Sequence, residues 1–377
     1  HFMLVNIWSE PYGGKATDPG IPYITKPEKH ALVDYQRGTV NEVYDKIEKD
    51  LKLGISLVSD TYYKQPKFHF NKKAAYAFAS RFYLMKGDWN AVVAYADYVL
   101  GSDPKKQLRP WRQYANELEF NHKSLFRRYA ATDEPANLLM TTTESRLART
   151  TPVEKYGSTF GTVDKVFAQT GIEGGRDYEK MNFIGTYIFT SSAAPVTSGR
   201  YLAKFDELSN VESTGSKPRG LYVTNVLFTA DEVLLNRMEA HAMLKDYNRA
   251  IDDYLQYMQG KFGFFPSVER AVYTSTNSSN YNIYTPFYGL TLKQLAMVKL
   301  FLDFRRKEFY QEGLRWFDIR RFHLAVKRTS KSSYYYPLEK EDPRKVLQIP
   351  AEAIQRGLAA NPRADQIMPH KSSNRKK

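Results

Sequence analysis

The sequence contains no cysteine, so neither a disulfide framework nor a thiolate metal site can form within the chain. It has no run of 18 or more apolar residues, which excludes a membrane-spanning helix in this stretch. The seven histidines (His1, His30, His69, His122, His241, His323 and His370) never fall at metal-ligand spacing, and no His-Glu-x-x-His segment occurs. A Gly-x-Ser-x-Gly nucleophile elbow is also missing. Gly13-Gly14-Lys15 and Gly174-Gly175-Arg176 are glycine turns outside the strand-to-helix setting of a phosphate cradle. Nothing in these patterns calls for a cofactor. Tryptophan is scarce, 4 residues against 28 Tyr and 22 Phe. Tyr joins an apolar ring to a polar tip and so suits a wet binding surface as well as a core rim.

Positive charge is in excess, with 55 Lys+Arg over 41 Asp+Glu and a formal net charge of +14. Such a balance raises nucleic acid as a partner. The basic residues are scattered among acids, however, and no nucleic-acid-binding motif appears. The clearest cluster, Lys371 with Arg375, Lys376 and Lys377, follows Pro369 and reads as a disordered polar tail. The charge therefore favours acidic surfaces or acidic ligands, without nucleic acid. Glycoside hydrolysis needs two carboxylates flanking the bond, and the sequence marks out no such pair.

Phe2 to Trp8 is helical in character and stops at Pro11-Tyr12-Gly13-Gly14. The opening His1-Phe2-Met3-Leu4-Val5 reads as the middle of an amphipathic helix, so an upstream segment is expected. Thr39 and Glu42 make a capping box ahead of Val43, Ile47, Leu51, Ile55 and Val58, which share one helix face. Asn71 caps a helix that ends at Gly87, and Asp88 caps the next. Small residues (Ala74, Ala75, Ala79, Ala91, Ala94) let this antiparallel pair approach closely. A similar pair returns between Asp231 and Tyr257. Val233, Leu234, Ala240 and Met243 form one apolar stripe there, and Lys245-Asp246 makes the turn. Repeated helix pairs are the mark of tetratricopeptide-like packing. Between them, roughly Gly101 to Val226 lacks periodicity apart from β-like pieces such as Gly185 to Phe189. A second polar loop, Thr274 to Tyr288, precedes a long helix from about Thr291 to Gln311 that ends at Glu312-Gly313. Long loops of this kind on a regular scaffold usually carry binding function.

The stretch Phe304-Arg305-Arg306-Lys307-Glu308-Phe309-Tyr310-Gln311-Glu312-Gly313-Leu314-Arg315-Trp316-Phe317-Asp318-Ile319-Arg320-Arg321 resembles the C-terminal signature of the SusD/RagB nutrient-uptake proteins. Asp18-Pro19-Gly20-Ile21-Pro22, Thr39 to Ile47 and Asn71 to Trp89 are similar to the family's loop, following helix and second repeat. Ile349-Pro350 with Asn361-Pro362 resembles its proline-bearing strand and Asn-Pro finish. The resemblance covers most of the chain and is weakest across Gly101 to Val226. Phe304 and Thr229-Ala230-Asp231-Glu232 depart from the pattern; these departures bear on local ion pairs and not on the fold. The family's lipidated cysteine and long N-terminal region have no counterpart here.

The fold class expected is all-α: a tetratricopeptide-like right-handed helical superhelix with long irregular loops and a few short strands. It would form a single domain over 1–377, divided into helical repeats (1–100), a ligand-side insert (101–226), helical repeats with the signature helix (227–325) and an irregular C-terminal segment (326–377). The resemblance implies a non-enzymatic, cell-surface outer-membrane lipoprotein. Such a protein captures oligosaccharide for a SusC-like TonB-dependent transporter and touches the membrane only through an N-terminal lipid anchor. Capture of peptides by the same scaffold, and an intracellular helical-repeat adaptor, are the alternatives.

Sugar recognition pairs a flat aromatic with polar groups at the ring edge. That chemistry selects Trp111, Tyr178 and Tyr187, with Arg176 and Asn182, in the insert, and Tyr281 and Tyr284 with Asn280 in the second loop. Glu308, Glu312, Gly313, Arg315, Asp318 and Arg320 read as structural: Gly313 ends the helix, and Arg315 with Asp318 ties the next turn back onto it. Trp316 and Phe317 are expected in the core.

Overall fold

The computed structural model describes residues 1–29, 33–117, 122–150, 158–159, 166–167, 186–188, 199–202, 204–209, 221–269, 271–272, 284–329, 334–361 and 370–371. Several helices begin where a side chain relieves the unpaired amides of a first turn. Helix α1 (Phe2–Trp8) is followed by α2 (Val40–Leu57), whose Thr39–Glu42 capping box is complete. Asn71 accepts from the Ala74 amide to start α3 (Lys72–Lys86), Gly87 ends it at φ 77°, and Asp88 caps α4 (Trp89–Leu100). The segment read as irregular between 101 and 226 is regular at both edges. It contains α5 (Trp111–Glu117), α6 (His122–Tyr129), β1 (Asn137–Glu144), α7 (Leu147–Thr150), β2 (Ser158–Thr159), β3 (Thr186–Ile188), β4 (Gly199–Leu202) and β5 (Leu208–Ser209). It closes with β6 (Leu221–Thr229), which pairs antiparallel with β1 and β5. Strands β2, β4 and β3 form a second small sheet.

The second helix pair is α8 (Ala230–Met243) and α9 (Tyr247–Phe262), joined through Lys245 at φ 62° and capped by Asp246. Then come α10 (Leu292–Glu308), capped by the Thr291–Gln294 box, and α11 (Leu314–Arg321). Strands β7 (Val326–Thr329), β8 (Tyr334–Leu338) and β9 (His370–Lys371) form the last sheet, with α12 (Ala351–Gln355) before β9. Lys371, read as part of a disordered tail, pairs instead with Tyr334. Around Ile349-Pro350 the chain is not a strand; Pro350 directly precedes α12.

The apolar stripe expected on α8 proves to be a helix buried on every side, from Ala230 through Ala242. It packs against α3, α4, α9 and α10. A buried charge needs a partner, and five polar residues of α8 find one on a neighbouring element. Glu232 takes Arg81 of α3 at 2.7 Å. Arg237 holds Asp253 of α9 at 2.6 and 2.8 Å and Asp97 of α4 at 2.7 Å. Asn236 accepts from Arg305 of α10 at 2.6 Å, and Glu239 accepts from both terminal nitrogens of Arg321 in α11. Asp231 pairs with Lys261 of α9. The departures at Thr229 to Glu232 thus leave the local ion pairs in place.

The signature stretch differs from expectation in three ways. Helix α10 stops at Glu308, and Gly313, at φ 80°, opens α11 rather than ending the helix before it. Asp318 accepts from Arg321 at 2.9 and 3.0 Å and lies 3.5 Å from Arg305; these, not Arg315, are its bonded partners. Burial alone would raise the Asp318 carboxyl, but Arg305 and Arg321 hold it below the usual carboxylate range. Phe317 is buried and Trp316 half-buried. Glu239→Gln is expected to destabilise the protein by about 3–5 kcal/mol, because Arg321 keeps its burial and loses its bidentate partner. Urea unfolding checks this; a midpoint unchanged from wild type contradicts it.

Candidate functional site

Trp111, expected to offer a sugar platform, is a core residue with 2% of its surface exposed. Its indole N–H donates to Glu308 at 3.0 Å, and Lys261 and Lys204 lie over its ring at 5.7 and 5.6 Å. Glu308 also accepts from Lys261 at 3.0 Å and Tyr257 at 3.1 Å. Burial opposes its charge, but Lys261 and Lys204 bring its pKa below the ordinary value. Glu312 accepts from Lys204 at 2.6 Å and Tyr129 at 2.9 Å. This polar knot fastens the insert edge to α9 and α10, and it leaves Trp111 no free face.

Tyr187 lies in β3 opposite Tyr201 of β4. Arg176, Tyr178, Asn182, Asn280 and Tyr281 lie outside the described residues. Tyr284 is half-buried, its ring 5.2 Å from Phe322, and Arg315 faces its hydroxyl. The backbone amide of Thr285 donates to the Phe322 carbonyl at 3.2 Å. The second loop is therefore sewn to the end of α11, and it carries Phe287 to a cleft that the sequence reading passed over.

That cleft has a volume of about 300 Å³, at the lower end of the ~300–1,000 Å³ typical of small-molecule sites. One wall is the Tyr12-Gly13-Gly14-Lys15 turn. Gly13 has φ 89°, and a Cβ there would fall 2.2 Å from the Phe287 ring, so the ring rests on bare backbone. Phe287 remains 47% exposed, with Tyr12 edge-on at 6.0 Å and Tyr288 at 4.9 Å. Asp18 closes the turn by accepting from the Lys15 amide at 2.7 Å.

The chain on either side of the turn is stapled to the segment 347–361. Arg37 donates to the carbonyls of Gly20 at 2.7 Å and Ala359 at 2.8 Å and to the Asn361 side chain at 2.9 Å. Asn361 in turn donates to Trp8 and Leu347 carbonyls, each at 2.8 Å.

The opposite wall is the end of α11. Leu324 N–H bonds the Ile319 carbonyl at 2.9 Å and His323 N–H bonds that of Arg320 at 3.1 Å. This is a Schellman closure with His323 at φ 51° where glycine is usual. It points the chain toward Lys340, Glu341 and Lys345, which complete the lining. His323 Nδ1 lies 3.3 Å from Glu341. Burial raises the pKa of Glu10, with Arg320 opposing, and burial pushes Arg320 down to about 10. Carboxylates that accept, cations that donate and one exposed ring are groups able to bond a hydroxyl-rich solute. Among the described residues, no group of three or more acidic or histidine side chains is placed to hold a metal. A second hollow of about 530 Å³ runs between α1 and α12, its walls combining Leu4, Trp8, Ile21, Ile24, Ile349 and Leu358 with the polar Glu28, Tyr35, Glu352 and Arg356.

Two family models match the chain. One, described as starch-binding associating with outer membrane, covers residues 1–84; the other, described as the SusD family, covers residues 106–351. No curated protein sequence matches. Solved structures share the fold at low identity. A SusD superfamily protein from Bacteroides vulgatus is 18% identical with a TM-score of 0.62 over 96% of this chain and 74% of its own. One from Bacteroides thetaiotaomicron is 19% identical with a TM-score of 0.61 over 96% and 75%. A laminarin-binding SusD-like protein is 15% identical with a TM-score of 0.51 over 96% and 75%.

Gly13→Ala is expected to destabilise the protein by about 1–2 kcal/mol from the positive φ alone, with a further loss from collision with Phe287. Denaturation of Gly13→Ala, Phe287→Ala and the double variant should give a combined loss smaller than the sum. Strict additivity would mean that the ring does not rest on the turn.

Proposed function

This chain belongs to the SusD/RagB family, and from that premise we propose that it is the glycan-capturing component of an outer-membrane nutrient uptake system. In this reading it binds oligosaccharide at the cell surface and hands it to a SusC-like TonB-dependent transporter, without catalysing a reaction of its own. The family descriptions place such proteins in association with the outer membrane, which speaks against an intracellular adaptor. The observation that carries the reading is the cleft between the Gly13 turn and the end of α11, where an exposed Phe287 ring stands among polar groups. The name of the laminarin-binding neighbour agrees with a glycan ligand on this scaffold. Tyr178, Tyr187, Tyr281, Arg176, Asn182 and Asn280 remain proposed contacts from the insert and second loop, with Tyr284 at that loop's anchored end; Trp111 does not.

Isothermal titration of the chain against a glycan panel and a peptide panel tests the proposal. Binding heat is expected with at least one oligosaccharide, and Phe287→Ala should weaken it by about fivefold or more, in line with the loss of an aromatic platform. Heat with peptides alone would replace glycan capture by peptide capture.

A further inference from the structure

The charges around the cleft do not all close on one another. Arg321 is committed to Glu239 and Asp318. Asp342 holds Arg344, and His323 faces Glu341. Arg320 stands apart. It is 4% exposed, its guanidinium donates to the carbonyl of Ser9, and its Nε has no hydrogen-bond partner. Lys345, 6% exposed, donates to the carbonyls of Leu324 and Lys340, each at 2.7 Å. Neither cation forms a salt bridge with a carboxylate among the described residues. Both line this one cleft.

A buried cation held only by carbonyl dipoles keeps most of its desolvation cost, which a counter-charge at hydrogen-bonding distance would offset. The carboxylate whose field acts most directly on Arg320 is Glu10, and burial drives that group toward its neutral form. Exposed Lys15 and Lys340 add positive potential at the rim, set against Asp18, Glu341 and Asp342 on the same lining. The Glu341 and Asp342 carboxylates act on the Lys345 ammonium without bonding to it. Neutral hydroxyls would satisfy the spare N–H groups but would not neutralise two buried charges.

Resting on the glycan-capture reading, we propose that this cleft is a subsite for an anionic sugar. Arg320 and Lys345 receive the carboxylate or sulfate of an acidic glycan, Phe287 stacks on its ring, and Glu10 and Glu341 accept from its hydroxyls. Arg320 supplies the planar fork that suits a two-oxygen anion.

The test is titration of the chain with an oligogalacturonate, with the same oligosaccharide after reduction of its carboxyls to alcohols, and with a sulfated oligosaccharide. At least one anionic probe is expected to bind about tenfold or more tightly than the neutral one; which of them does so separates carboxylate from sulfate recognition. Arg320→Gln should remove that preference. Lys15 is exposed and its side chain holds no part of the fold, so Lys15→Glu keeps the question answerable if Arg320→Gln does not fold. That variant is expected to weaken anionic binding by about threefold to tenfold more than it weakens neutral binding. Equal affinity for the charged and reduced probes overturns the subsite, as does anionic binding indifferent to both substitutions. If no glycan binds and an acidic peptide does, the capture of sugars falls with it, and that outcome is distinct from a neutral glycan binding well.

Discussion

A helix buried on all sides can hold charged residues only if each meets an opposite charge or a strong hydrogen-bond partner. Helix α8 is such a helix, and its Asp231, Glu232, Asn236, Arg237 and Glu239 reach α3, α4, α9, α10 and α11. Apolar packing alone would allow neighbouring helices to slide by a turn. Paired charges do not, because a slip of one turn would leave several ions buried and alone. The charges on α8 therefore fix the register of the whole frame.

That register determines what faces the cleft. Successive helical residues are rotated by about 100°, so with Arg321 drawn inward to Glu239 and Asp318 its neighbour Arg320 turns to another side. It meets the Ser9 carbonyl and the cleft. The Gly13 turn reaches the same place because Arg37 and Asn361 tie the chain on either side of it to residues 359–361. Phe287 reaches it because its loop is bonded to Phe322 and because Gly13 has no side chain to repel the ring. The proposed binding surface and the scaffold meet at α11, where one arginine locks the frame and the next lines the cleft.

The helices were legible because their signals are local. Asn71, Asp88, Asp246 and the Thr39–Glu42 box each cap a helix within a few residues of where the sequence places it. The family signature was legible as an ordered string. Long-range pairing was not. Arg81 and Glu232 are 151 positions apart, and Trp111 and Glu308 are 197 apart. No period or motif joins them, so Trp111 read as a loop aromatic when it is a core donor. The cleft was hidden for the same reason, being assembled from residues near 12, 287, 320 and 345. One signal did exist: a Gly-Gly turn beside a tyrosine and a lysine asks what approaches its backbone.

The most direct measurement is amide hydrogen exchange of the chain with and without a bound oligosaccharide. Ligand held by the cleft should slow exchange in residues 12–18, 287–289 and 321–324 together, while α9, which contributes nothing to the cleft lining and is already protected by packing, stays unchanged. Protection confined to other segments, with those three indifferent to ligand, would contradict the assignment of the cleft.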